Sequence, residues 1–319
     1  METRRLGRHG PPLTVVGLGA WAIGGGDWRF GWGPQEDRDS IAAIHRALDT
    51  GVNWIDTAAV YGLGHSEETV ARALDGRRDR PLVATKCGLV WDDRRRTRID
   101  LSPDSIRREV DASLRRLRVE TIDLYQCHWP DPKTPVEATW ETMAALKREG
   151  KVRLIGVSNF DVPLLGRCLA VAPVDSLQPP YSLLDRAVER EILPYCREQG
   201  IGVVAYSPMQ SGLLSGRFDP ARLAANDWRR RDAAFTPPLL ARNLAFAERL
   251  AAIAARRGKT AGQYAVAWVL RHPAVTSAIV GARRPDQAAA NSVAADVTLT
   301  DEEAAEIERA LAETGARAS

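Results

Sequence analysis

Short apolar runs alternate with longer stretches in which apolar residues recur every three or four positions, and the alternation continues almost to the C-terminus. The runs are TVVGLG (14–19), NWIDT (53–57), LVATK (82–86), IDLYQCH (122–128), VRLIGV (152–157), DSLQ (175–178), GVVAYS (202–207) and SAIVG (277–281). Their richness in Val, Ile and Leu marks them as candidate strands buried on both faces. Between them lie SIAAIHRALDTG, SPDSIRREVDASLRRLRV, PVEATWETMAALKREG and REILPYCREQG, which carry helical spacing; several open on Ser, Asp or Pro and close on Gly, the residues that start and stop helices. Strand and helix taken in turn predict parallel strands, because parallel neighbours need a long crossover. Eight such units fit an α/β fold of the (β/α)8 TIM barrel type. A doubly wound sheet with added elements produces the same alternation.

One interval breaks the spacing. Between Ser207 and Ser277 the chain carries about two helices' worth of extra sequence, including SGLLSGRFDPARLAANDWRRRDAAFTPP, and this predicts an extended loop after strand seven. Loops of such length are usually lids or binding loops. No repeat, low-complexity tract or linker marks a boundary, so residues 1–319 are expected to form a single domain.

Composition narrows the class further. Hydrophobic residues make up 45% and charged residues 27%, which excludes disordered and fibrous chains. No apolar run is long enough to span a membrane, and METRRLGRHG lacks the apolar segment of a secretory signal, so a cytoplasmic setting is expected. A net charge of +3 from 44 bases and 41 acids gives no reason to expect nucleic acid or a membrane as partner; it leaves the oligomeric state open. The four cysteines, Cys87, Cys127, Cys168 and Cys196, match no metal-binding spacing and are expected to be reduced and partly buried. Only five bases are lysine: Lys86, Lys133, Lys147, Lys151 and Lys259. A lysine that closes an apolar run therefore stands out.

Barrel enzymes work at the C-terminal ends of their strands, and the polar residues closing each run form a set. Strand two ends in Asp56 with Tyr61 on the following loop, strand three in Lys86 and strand four in His128. Later ends bring Ser158 and Asn159, then Gln178, then Tyr206 and Ser207. Alone, each is as well explained by packing, and Asp56 by a turn. Together the first four have a joint use. A phenol titrates near about 10, and a cation at its oxygen is expected to lower that value; Lys86 can be the cation, with Asp56 keeping it charged. His128 adds a neutral donor that polarises a carbonyl beside Tyr61. No nucleophile accompanies them, so the rim suits carbonyl reduction, with the electrons coming from a cofactor.

VGLGAWA holds a G-x-G-x-x-A spacing (Gly17, Gly19, Ala22), but IGGGDWRFGWGPQED after it cannot open the helix that a dinucleotide fingerprint requires. Better phosphate candidates come late: SPMQSG after strand seven and GARRPDQAAAN after strand eight. There Gly281 permits close approach, and Arg283 or Arg284 can meet a phosphate at a helix N-terminus.

GLGAWAIGG, WIDTAAVYGLGHSEETVARAL, VATKCG, IDLYQCHWPD, IGVSNF, LQPPYSLL, AYSPM and IVGARRPDQ, in this order, resemble the aldo-keto reductase family over nearly the whole chain, with bacterial general-stress-protein-like members the nearest in look. The resemblance implies a barrel that binds NADPH and a catalytic tetrad at Asp56, Tyr61, Lys86 and His128, with Tyr61 as general acid. It also implies cofactor contacts from Ala20, Trp21 and Asp56; from Ser158, Asn159 and Gln178 at the carboxamide; and from Tyr206 against the nicotinamide ring. Ser207, Met209 and Ser211 would follow the pyrophosphate, helped by Arg217 and Arg229. Gly281, Arg283, Gln287 and Asn291 would hold the adenosine and its 2′-phosphate. Two departures stand out: Gly281 and Ala282 occupy positions where many members carry Lys and Ser, and Ala20 one where Thr is common. Preference for NADPH over NADH therefore rests on Arg283.

The expected partner is a small-molecule carbonyl substrate, with Trp21, Trp32, Trp91, Trp129 and Tyr181 as candidate walls of an aromatic pocket. An alternative from another class is a cofactor-sensing regulatory subunit, since channel β-subunits resemble the same family. A Schiff-base role for Lys86 is disfavoured, because a neighbouring carboxylate opposes loss of its proton.

Overall fold

The computed structural model describes residues 1–26 and 28–318; Asp27, and Ser319 at the end of the expected domain, lie outside the described residues. The chain opens with a hairpin, β1 (Thr3–Arg5) and β2 (Pro12–Thr14), and then enters β3 (Val16–Gly19), α1 (Asp37–Asp49), β4 (Trp54–Asp56), α2 (His65–Leu74) and β5 (Leu82–Cys87). A second hairpin, β6 (Leu89–Trp91) and β7 (Thr97–Ile99), precedes α3 (Pro103–Leu117) and β8 (Ile122–Cys127). There follow α4 (Val136–Arg148), β9 (Val152–Ser158), α5 (Val162–Val171), β10 (Ser176–Gln178), α6 (Ile192–Gln199) and β11 (Gly202–Tyr206). The long interval holds short 3-10 turns and two helices, α7 (Leu239–Ala255) and α8 (Ala261–Leu270), before β12 (Val275–Gly281), α9 (Pro285–Ser292) and α10 (Asp301–Thr314).

The eight parallel strands close in the order β10-β11-β12-β3-β4-β5-β8-β9. Residues of alternating direction on each strand divide the core in two. Outward-facing Ile55, Tyr125, Cys127, Ile155 and Val203 pack beneath helical residues such as Ile44, Val110, Trp140 and Leu250. Inward-facing Trp54, Ala84, Leu124, Val204 and Ile279 fill the lower barrel, and Leu6 and Leu13 of the first hairpin pack against them as a floor. The G-x-G-x-x-A spacing has its explanation here. A Cβ at Gly17 would sit 2.1 Å from the Trp54 ring, and one at Gly19 would sit 2.8 Å from Ile279, so these glycines make room inside the barrel, and a 3-10 turn at Ala22–Gly24 follows them in place of a helix.

Side-chain caps start several helices and Gly200 closes α6 as expected, whereas α1 begins at Asp37, ahead of Ser40, and α4 and α6 begin without a side-chain cap. Ser102 and Asp161 accept from Ser105 and Leu164 backbone N–H groups, each with Pro in the first turn. Thr260 with Gln263 and Thr300 with Glu303 form complete capping boxes. Among the described residues no helix is long and apolar enough to cross a membrane. No group of His, Cys, Asp and Glu there could hold a metal.

Candidate active site

Three strand ends and one tight turn build the centre of the site. Asp56 closes β4 and Lys86 lies one residue from the end of β5. Lys86 Nζ donates to Asp56 Oδ1 at 2.9 Å, Asp56 Oδ2 at 2.7 Å, the Thr57 carbonyl at 2.9 Å and Tyr61 OH at 3.2 Å. Lys86 is 1% exposed and Asp56 3%. A buried ammonium is tolerated only when its charge is balanced and its protons are accepted, and both conditions hold.

Tyr61 reaches Lys86 through an unusual turn. Gly62, Leu63 and Gly64 all take positive φ, at 65°, 57° and 106°, which reverses the chain directly after the phenol. A Cβ on Gly62 would lie 2.2 Å from the Gly24 carbonyl oxygen, so the glycine also lets the loop after β3 press against Tyr61. Below the turn, Thr57 and Ser66 share a hydrogen bond of 2.8 Å, and Ser66 donates to the Ala20 carbonyl at 3.0 Å. The His128 ring meets Tyr61 edge-on, with centroids 5.7 Å apart, and its Nδ1 is buried without a partner among the described residues.

Burial and charge set the protonation states. Burial first, and then the Asp56 carboxylate, push the Tyr61 phenol well above its ordinary value. This corrects the expectation that Lys86 brings the phenol down: removal from water dominates, and the Asp56 charge that balances Lys86 acts in the same raising direction. Burial lowers Lys86, with Asp56 and then Glu67 opposing the shift. Burial and the Lys86 charge hold His128 well below its ordinary value, so it is a neutral imidazole near pH 7.

The neighbouring strand ends continue the network. Gln178 donates to Asp56 Oδ1 at 2.8 Å, Ser158 donates to the Gln178 carbonyl at 2.8 Å, and Asn159 donates to the His128 carbonyl and to Ser158, both at 3.0 Å. Tyr206 donates to Asn159 Oδ1 at 2.9 Å. Hydrogen bonds thus connect Asp56, Lys86, Tyr61, Gln178, Ser158, Asn159, His128 and Tyr206. Ala20 is a correction to the expected cofactor contacts: it is wholly buried in the core, its N–H given to the Asp56 carbonyl and its carbonyl accepting from Ser66, so no surface of it faces a ligand.

The loops after β11 and β12 stand beside this network. Ser207, Gln210 and Ser211 have φ of 55°, 45° and 49°, a sparsely populated conformation for residues with side chains that recurs at ligand clamps. Met209 is half-buried, its thioether packed against Gly262 at the edge of the core. Arg217 is exposed. Arg229 pairs with buried Asp227 at 2.7 Å, donates to the Ser211 carbonyl at 3.0 Å and covers the Trp32 ring at 4.3 Å. Arg283 donates to Gln35 at 2.6 Å, to the Trp32 carbonyl at 3.1 Å and to the Pro34 carbonyl, with no carboxylate among these partners. Gln287 accepts from the Arg283 N–H at 2.9 Å, and Asn291 donates to the Gly281 carbonyl at 3.0 Å.

The aromatic candidates divide. Trp21 stacks on Trp228 at 5.2 Å, meets Trp32 edge-on at 5.3 Å and lies 6.3 Å from Tyr61. Trp91 packs into the cluster around Tyr61 from the second hairpin. Trp129 is 43% exposed and stands outside that cluster. Tyr181 is a correction: it is buried against Trp268 and His272 and donates to Glu189 at 2.8 Å, so it belongs to the core. Sequence reading passed over Trp28, which is 6.1 Å from Tyr61, and Trp228 on the long loop. For Trp28 the one signal was its place between Trp21 and Trp32, and for Trp228 its place on the long loop, since loop positions have no period.

The chain is similar to known proteins over nearly its whole length. The model of the Aldo/keto reductase family matches residues 15–312. The chain is 39% identical over 318 residues to Aldo-keto reductase YhdN of Bacillus subtilis (strain 168), covering 98% of this chain and 95% of that protein. It is 38% identical over 326 residues to the NADH-specific methylglyoxal reductase of Escherichia coli (strain K12), covering 95% and 96% respectively. Among solved structures, the glycerol dehydrogenase AKR11B4 from Gluconobacter oxydans aligns with a TM-score of 0.89 at 42% identity, covering 98% of this chain and 95% of that one.

Proposed function

The chain belongs to the aldo/keto reductase family, and from that premise we propose that it reduces a small aldehyde or ketone to the alcohol with NADPH while Tyr61 gives the proton. The observation that carries this reading is the buried Lys86 ammonium, bonded at once to Asp56 and to the Tyr61 oxygen. Tyr61 keeps its proton through neutral pH because burial raises it, which is the state a general acid needs. As the proton leaves, the ammonium 3.2 Å away stabilises the phenolate that forms, so the charge appears where a cation already stands. Neutral His128 supplies a hydrogen-bond donor for the carbonyl oxygen without competing for the proton.

The residues present fit a nicotinamide dinucleotide. Arg283 is drawn below its ordinary value by burial and by the charge of Arg229; an anion at this point would relieve both penalties, and a 2′-phosphate is such an anion. Ser158, Asn159 and Gln178 offer amide and hydroxyl groups for a carboxamide, Tyr206 and Trp21 offer ring faces, and the turn at Ser207–Ser211 with Arg229 suits a pyrophosphate. When bound, the cofactor supplies the two electrons of the reduction. A second reading, NADH as cofactor, draws support from the name of the Escherichia coli relative and from the three neutral acceptors that already occupy Arg283. The names of the relatives also support a short oxygen-bearing substrate. Four buried free cysteines support a reducing, cytoplasmic setting, with residues 1–319 acting as one barrel domain.

Tyr61→Phe is the decisive variant. Turnover of a short aldehyde should fall by at least about 100-fold, while fluorescence titration shows NADPH binding unchanged. A variant that turns over like the parent would remove Tyr61 from the reaction.

A further inference from the structure

The aromatic cover over Tyr61 carries an excess of hydrogen-bond donors. Trp21 donates its indole N–H to the Phe30 carbonyl at 3.1 Å, but the Nε1 atoms of Trp28, Trp32 and Trp228 are buried with no partner among the described residues. Indole nitrogen is a donor only, and a buried one ordinarily finds an acceptor. Trp32 and Trp228 reach Tyr61 only through Trp21, whereas Trp28 lies against the phenol itself. Trp28 is the sharpest case. It is 8% exposed, its ring lies 6.1 Å from that of Tyr61, and it shares its cluster with Ala58 and Val60.

These donors discriminate between substrate classes. A hydrocarbon chain on the carbonyl would extend the apolar contact and leave the indole N–H groups without partners. An oxygen on the adjacent carbon, as hydroxyl or second carbonyl, brings lone pairs to a place where donors lack them, and a site with buried unmet donors rejects the analogue without that oxygen. We propose that Trp28 is a specificity-determining residue whose indole N–H takes the α-oxygen of a short oxygenated aldehyde or ketone. The proposal rests on the carbonyl-reduction reading and names the substrate class of that same site. It also implies movement, since Nε1 is covered. The segment bearing Trp28 and Trp32 is tied to the long loop by Asn226 donating to the Gly26 carbonyl at 3.0 Å, by the Trp228 N–H donating to the Gly31 carbonyl at 3.3 Å, and by Arg231 donating to the Arg29 carbonyl at 2.7 Å. Substrate reaches the indole when these ties part.

The experiment compares kcat/KM for glyceraldehyde with that for propanal, two aldehydes of equal chain length, using the full chain and NADPH or NADH. The parent protein should favour glyceraldehyde, and Trp28→Phe, which keeps an aromatic ring without the N–H, should reduce that ratio by about tenfold. A ratio unchanged in the variant overturns the proposal, whether or not both rates fall. Should the variant fail to fold, Trp28→Leu takes its place, with the same fall in ratio expected and an unchanged ratio overturning the proposal; parental ratios near one, for this pair and for hydroxyacetone over butanone, overturn it without any variant. Absence of any carbonyl-dependent oxidation of either cofactor removes the reduction reading and this proposal together, whereas turnover without discrimination removes only the latter.

Discussion

A guanidinium whose partners are all uncharged is the least settled charge in this molecule. Arg283 is held by Gln35 and by two backbone carbonyls, which accept its protons but do not balance its charge. If it holds a 2′-phosphate, Arg283→Ala should weaken NADPH binding by roughly 10- to 100-fold and leave NADH binding nearly unchanged, as read by parallel fluorescence titrations. Equal losses for the two cofactors would assign Arg283 to loop architecture. At this scale the polar rim was legible, because Asp56, Lys86, His128, Ser158 and Gln178 end apolar runs and so declare their height in a barrel. The direction of the Tyr61 shift was not legible. It depends on how completely the phenol is buried, and that is decided by Trp21, Trp28 and the turn at Gly62, none of which an ordered list of residues places beside it.

Elements belonging to the strand–helix repeat were read well, three-residue β4 and β10 included, and the hairpins outside it were not. The eight barrel strands fall at the expected runs, with β12 starting two residues early at Val275. Both hairpins went unseen, since strands such as TRR and PLT form no apolar run and lie outside the repeat of strand and helix. The second hairpin leads into α3, where Glu109 tests how an element responds to pH. Its carboxylate accepts from the Gly88 N–H at 2.9 Å and from Ser105 at 3.1 Å, yet burial raises it from an ordinary 4.5 to about 7. A carboxyl raised in this way binds its proton more tightly when folded. Its stabilising contribution is complete below 4.5 and is lost as pH rises through about 7. Chemical denaturation at pH 5 and pH 8 should therefore show the parent weakening more towards pH 8 than Glu109→Gln, which retains an acceptor for Gly88 but does not titrate. Parallel curves for the two proteins would place the charge of Glu109 in contact with solvent.

For the molecule as a whole, alternation of strand and helix announced the barrel but not its floor, because the floor is made by residues outside the repeating units. Leu6 is 1% exposed and packs with Leu13 against Trp54 and Leu124, at the end of the barrel opposite the polar rim. Leu6→Ala should cost about 2 to 5 kcal/mol of stability, seen as a lower denaturant midpoint, with kcat unchanged. A fall in kcat at full stability would mean that the two ends of the barrel communicate. Closure of the ring sets a further condition. β3 pairs on one side with β4, which follows it closely, and on the other with β12, close to the C-terminus. During translation the first barrel strand therefore leaves the ribosome with one flank bare, and it stays bare until nearly all of the polypeptide has emerged. An unpaired flank of this kind invites association between nascent chains, so a message cut short before Val275 should yield an insoluble product, however sound each of its finished segments is.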